Sequence, residues 1–309
     1  MTSRGVMRLL GSRQVTQELY AMCCPPPRLL LRLMVLAAAF PAVLFAGEPE
    51  KAPAKKPASR RVSPTRRIQK LSYDFKAAGK KMEYGLFVPS TYEDEANKEK
   101  KFPLVVALHG LGSNPQQILR YRGLVQLAEK YGYIVVAPMG YNSKGWYGVF
   151  GQRSRFSRPS NLGELSEKDV MNVLKLTEKA YRVNPKRIYL MGHSMGGGGT
   201  LHLGMKYPKQ WAGLAPIAPA IFSSTRGLEK IRDMPVIVVQ GARDTLVRAS
   251  RTRRWVRKMK DLKMTHKYVE YKNGGHMSPA YDGLPAIFEF FNKHIERGKP
   301  KAPAPTGDG

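Results

Sequence analysis

Five nearly continuous apolar runs constrain this chain most: Phe102 to Leu108, Tyr133 to Pro138, Arg187 to Met191, Leu214 to Ala218 and Met234 to Gln240. A strand that is apolar on both faces cannot lie against water, so it belongs inside a sheet covered on both sides. Helical patterns separate the runs. Ile118, Tyr121, Leu124, Val125, Ala128 and Tyr131 recur at helical spacing, and Ser166 with Asp169 reads as a capping box opening a helix with a Val170, Val173, Leu174 and Tyr181 stripe. Leu71 to Lys76 and Met82 to Val88, joined by a turn at Gly79, read as two opening strands, and Tyr268 to Tyr271 as a closing one. The expected fold class is α/β, a mostly parallel central sheet with helices on both faces. Right-handed crossovers place the C-terminal strand ends on one edge, where ligand chemistry gathers in such sheets.

The flanks read differently. Arg28 and Arg32 precede an uncharged run from Leu33 to Ala46, the pattern of a secretory signal; a retained N-terminal anchor is the alternative reading of residues 1–46. The expected location is therefore secreted or periplasmic, or else membrane-anchored by this segment. Residues 47–67, rich in Pro, Ala, Lys and Arg, read as a disordered basic linker, and 298–309 as a disordered tail, leaving 68–297 as the folded domain. Both cysteines, Cys23 and Cys24, precede that domain, so it holds neither a disulfide nor a thiol nucleophile.

The chemistry concentrates in Gly192-His193-Ser194-Met195-Gly196, directly after the Arg187 to Met191 strand and before Gly197 to Gly199. A serine on a tight strand-to-helix turn stands clear of the sheet, beside the free amides of a helix start. Its hydroxyl needs a base, and the base needs an acid to orient it. Asp244 follows the Met234 to Gln240 strand, and His276 follows the Tyr268 to Tyr271 strand within Asn273-Gly274-Gly275-His276. Serine, acid and histidine thus occur in the order this architecture uses, all at one sheet edge. Asp282 follows His276 and breaks that order; His202, His266 and His294 fall in or beside regular elements. The amides of Leu111, in His109-Gly110-Leu111-Gly112, and of Met195 are the expected oxyanion donors, with Gly110 and Gly112 letting the backbone approach.

The runs PLVVALHGLGSN, AYRVNPKRIYL and YLMGHSMGGG resemble α/β-hydrolases of the serine esterase, polyhydroxybutyrate-depolymerase-like and phospholipase/carboxylesterase-like group, over residues 80–295. That resemblance implies an α/β-hydrolase fold and hydrolysis of carboxylic esters through an acyl-enzyme, without cofactor or metal. Prolyl-oligopeptidase-like serine peptidases share the triad order and form the alternative. The lack of cysteine after Cys24 departs from the polymer depolymerases of the group.

Substrate features are sparser. Residues 141–163 form a long connection in which Trp146, Tyr147 and Phe150 are candidate pocket walls, while Arg153, Arg155 and Arg158 read as surface. The chain carries 52 Lys and Arg against 23 Asp and Glu, a net +29, which reads first as a solubilising surface and second as attraction to an acidic polysaccharide or anionic surface, besides the ester substrate, small molecule or polymer. A non-catalytic polyanion-binding protein on a hydrolase scaffold is the second alternative. No nucleic-acid motif accompanies the charge. Nine Lys and Arg lie between Arg243 and Lys263, where Trp255, Val256, Met259 and Leu262 share a helical face; the basic residues then cover the solvated side.

Overall fold

A computed structural model of the protein describes residues 62–155 and 157–294. The segment 1–46 and the tail 298–309 lie outside the described residues, as does most of the expected linker. Where that linker is described it is folded, a correction to the expected boundary at 68. Pro64–Arg67 form a 3-10 turn, and Arg67 donates to the Val88 carbonyl (3.2 Å), pairs with Glu129 and lies over the Phe87 ring. A basic composition cannot reveal that one guanidinium finds three partners.

Eight strands form one sheet: β1 Gln69–Phe75, β2 Lys80–Phe87, β3 Phe102–Leu108, β4 Ile134–Pro138, β5 Val183–His193, β6 Gly213–Ile217, β7 Val236–Gly241 and β8 His266–Tyr271, in spatial order β1-β2-β4-β3-β5-β6-β7-β8. β1 and β2 pair antiparallel with each other, and β2 antiparallel with β4; every other pairing is parallel. This is the α/β-hydrolase arrangement. The helices are α1 Pro115–Leu119, α2 Leu124–Tyr131, α3 Leu162–Ala180, α4 Met195–Lys206, α5 Ala249–Asp261, α6 Ser278–Asp282 and α7 Leu284–Lys293. None of them is long and apolar enough to cross a membrane.

The two-residue period of a strand divides the core. Leu104, Val106, Ile188 and Leu190 face the layer of α3, α4 and α5, with Val173, Leu201, Trp255 and Met259. Val105, Ala107, Tyr189 and Met191 face α1, α2, α6 and α7, with Ile118, Val125, Ile287 and Phe291. Each such side chain is essentially sealed from water, and each Val, Leu, Ile, Met or Phe among them contributes about 1.5–3 kcal/mol of burial.

Two helix expectations shift. The single helix expected from Ile118 to Tyr131 is two, because Gly123 takes φ +100° between them. α3 begins at Leu162, so Ser166 is not its cap. Ser166 is buried inside the helix, and its Oγ accepts from the Tyr147 amide (3.0 Å).

Candidate active site

Ser194 directly follows β5 and caps the start of α4 with φ 57° and ψ −115°. A side chain in that region costs about 1–3 kcal/mol. Backbone bonds hold it there: the Ser194 amide donates to the Ile217 carbonyl (2.9 Å), and the Gly198 and Ala220 amides donate to the Ser194 carbonyl (3.0 Å each). The glycine run has a packing reason. A Cβ on Gly196 would lie 2.1 Å from the Leu108 carbonyl oxygen, and one on Gly199 would lie 2.7 Å from the Tyr147 ring. The helix start therefore sits closer to its neighbours than any side chain permits.

Asp244 and His276 come together from different strands. His276 Nδ1 lies 2.8 Å from Asp244 Oδ2, and both side chains are largely shielded. A carboxylate only accepts, so Nδ1 carries a proton in this pair. The remaining capacity of Asp244 is filled. Oδ1 accepts from the amides of Leu246 (2.9 Å) and Val247 (2.8 Å), and Oδ2 also from Gln240 Nε2 (3.2 Å). The two loops are stitched by Ala242 N–H to the Tyr271 carbonyl (3.0 Å) and Arg243 N–H to the Gly274 carbonyl (2.9 Å).

Several supporting residues were not anticipated. Gln240 and Thr252 are fully buried; Thr252 Oγ1 donates to Gln240 Oε1 (2.7 Å), which fixes the amide that meets Asp244. A polar residue closing an otherwise apolar strand was the available signal for Gln240. His193 is another. Burial, reinforced by His276 nearby, lowers its pKa to about 4, so the ring is neutral. Its Nε2 donates to the His276 carbonyl (3.0 Å), leaving Nδ1 to accept from the Tyr121 hydroxyl (3.0 Å). His193 thus holds the backbone of the residue that carries the candidate base.

The loop after β3 lies against Ser194: a Cβ on Gly110 would sit 3.6 Å from Ser194 Cβ. That is ordinary contact, so close approach does not explain the glycines here. Gly112 instead takes φ +74°, with its amide donating to the Ser143 carbonyl (2.9 Å). Leu111, between them, is exposed, and Met195 supplies the first amide of α4.

Of the candidate pocket walls, Tyr147 is corrected. It is fully buried, its hydroxyl donates to the His109 carbonyl (3.2 Å), and its ring covers Gly199. An aromatic ring that fills the space a glycine leaves is an anchor for the loop, not a wall of an open pocket. Trp146 does line a cavity of about 470 Å³ together with Phe150, Leu162 and Arg158. Ser194, Asp244 and His276 are not among its lining residues. Arg153 pairs with Glu164 (3.8 Å), and Arg158 donates to the Arg155 and Ser157 carbonyls.

Apolar exposure marks the same edge. Six large apolar side chains are exposed among the described residues, and five of them, Leu111, Phe150, Phe222, Leu246 and Met277, follow β3, β4, β6, β7 and β8 in turn. Phe222 stacks on Phe150 (5.6 Å) and meets Trp146 edge-on (6.2 Å).

The family model described as "Putative esterase" matches residues 76–295. A bifunctional acetylxylan esterase/xylanase of Neocallimastix patriciarum is 24% identical over 167 residues, 54% of this chain and 23% of that protein. The S-formylglutathione hydrolase of Rattus norvegicus is 30% identical over 153 residues, 45% of this chain and 52% of that enzyme. Among solved structures, a ferulic acid esterase from Anaeromyces mucronatus superposes with TM-score 0.59 at 17% identity, over 74% of this chain and 90% of the other. The chain spans about half or less of the length of these curated relatives.

Proposed function

The chain belongs to the esterase family whose model spans residues 76–295, and from that premise we propose that it hydrolyses carboxylic esters through an acyl-enzyme on Ser194. The observation that carries the proposal is the 2.8 Å bond between His276 Nδ1 and Asp244 Oδ2 at the sheet edge that also presents Ser194. With Nδ1 committed to Asp244, His276 Nε2 takes the Ser194 proton as Oγ attacks the carbonyl, and returns it to the departing alcohol. Water then repeats the sequence against the acyl-enzyme. The Leu111 and Met195 amides receive the charge that develops on the carbonyl oxygen. Asp244 holds the imidazolium in place.

The substrate reading follows from the exposed edge. Trp146, Phe150 and Phe222 form an aromatic ledge suited to a flat or apolar acyl group. Export through the segment before residue 47 belongs to the same proposal.

A fluorophosphonate probe, applied to the protein and to Ser194→Ala, tests the reading, followed by a panel of p-nitrophenyl esters and peptide anilides. We expect labelling and ester turnover in the parent, with ester turnover down about 10³-fold or more in the variant. Anilide turnover matching the esters would move the assignment to a peptidase. A folded parent that neither labels nor turns over ester would end the hydrolase reading.

A further inference from the structure

The basic charge of α5 is not evenly distributed between paired and unpaired groups. Arg253 pairs with Glu270, and Lys258 with Glu229 (3.2 Å). Arg248, Arg251, Arg254 and Arg257 have no carboxylate partner among the described residues, and together with Ser250 and Phe222 they line an open cavity of about 430 Å³. Arginines spaced three apart on one helix repel one another, so four in one cavity form an uncompensated site. Their planar forks match carboxylate or phosphate oxygens two at a time.

The chain ties this cavity to the chemistry at two points. Val247 donates its amide to Asp244 Oδ1 (2.8 Å), and Arg248 is the next residue. Ala220 donates its amide to the Ser194 carbonyl (3.0 Å), and Phe222 lies two residues on, at most about 7 Å farther along the chain. Phe222, in the arginine cavity, also touches two residues that line the other cavity. One side of its surroundings holds Phe150 and Trp146, which line the 470 Å³ cavity, and the Arg251 guanidinium lies 4.5 Å from its ring centre.

We propose that the arginine cavity is a substrate subsite for an anionic group, a carboxylate or phosphate that the ester carries remote from the scissile carbonyl. The proposal rests on the hydrolase reading above and names the substrate class within it. The aromatic ledge carries the body of the substrate, and α5 receives its charged end. An ester of this class is neutralised at its far end while its carbonyl rests at Ser194.

Matched pairs of esters test this: the p-nitrophenyl monoester of octanedioic acid against p-nitrophenyl octanoate, and 4-carboxyphenyl acetate against phenyl acetate. Each is measured with the parent, with Arg251→Gln/Arg254→Gln, and with Arg253→Gln as a control on a paired arginine. In the parent, at least one anionic ester should exceed its neutral partner about tenfold in kcat/KM. The double variant should bring that ratio close to one while neutral-ester rates stay within about twofold, and Arg253→Gln should leave the ratio alone. Raising NaCl to about 0.5 M, where screening acts over about 4 Å, should also collapse it. No preference in the parent, or a preference that survives the double variant, overturns the subsite. Stabilisation of the parent by inorganic phosphate, lost in the double variant but without any substrate preference, also overturns it, because the arginines then hold a free anion only. Neutral-ester turnover and Ser194 labelling report on the hydrolase reading separately, so its failure is distinguishable from failure of the subsite.

Discussion

Among the described residues are two histidine–carboxylate pairs that look alike on paper and differ in everything around them. His276 meets Asp244 at 2.8 Å, and His202 of α4 meets Glu167 of α3 at 3.2 Å. Asp244 is held by two backbone amides and one carboxamide, and its histidine lies on a loop at the strand-end edge beside Ser194's neighbour His193. Glu167 is crowded instead by Lys206 and by the Tyr207 hydroxyl, each 2.5 Å from Oε1, in a cleft between two helices. Burial pushes the Glu167 pKa up, but the bonds from His202, Lys206 and Tyr207 outweigh it and hold the carboxyl at about 2. One carboxylate orients a ring toward an open edge; the other fastens α3 to α4. The pairing itself carries no function. What the second ring nitrogen can reach, and what else the carboxylate must satisfy, decides it.

The sharpest way to break this comparison is to neutralise each carboxylate. Asp244→Asn should lower ester kcat about 10⁴-fold, because the carboxamide oxygen takes the Leu246 and Val247 amides, its NH2 then faces Nδ1 as a donor, and the histidine takes the wrong tautomer. Its urea midpoint should move little by comparison. Glu167→Gln should do the reverse, costing about 2 kcal/mol in urea unfolding with kcat within about twofold, since an ammonium and a part-buried hydroxyl lose their buried charged acceptor. Equal losses of kcat in the two variants would erase the distinction.

Acid titration of stability sharpens it. Glu167 has a folded pKa of about 2, below the usual 4.5. Its contribution is therefore fully present above about pH 4.5 and is lost as pH falls toward 2. Unfolding followed across that window should show the loss in the parent and a shallower slope in Glu167→Gln; identical slopes would mean the three donors do not act through the charge. The smallest effect is expected from His202→Gln. That ring is a quarter exposed and is one of three donors, so its loss should cost below about 1 kcal/mol and leave ester turnover unchanged.

Legibility in the sequence followed the same division. The buried strands could be read because a strand apolar on both faces has one environment available to it: β3 and β4 emerged where the runs predicted, and Trp255 and Met259 seat α5 on the sheet as their spacing required. Ser194, Asp244 and His276 could be singled out because each follows a strand. Tyr147 was misplaced for an equally physical reason. Within a polar loop an aromatic residue offers no periodicity, and only the packed molecule shows its ring lying over Gly199.

The sequence by itself therefore determined the layered α/β architecture, the sheet edge that holds the candidate site and the chain order of its three candidate residues, since these follow from alternating burial and from residues placed next to strand ends. Tertiary structure alone decided which histidine meets which carboxylate at an open edge, that Gln240 and Thr252 brace Asp244, and that four arginines along and just before α5 share one cavity with Phe222. These are contacts between segments far apart in the chain. Their geometry is set by the packing of side chains across the sheet, which no local pattern encodes.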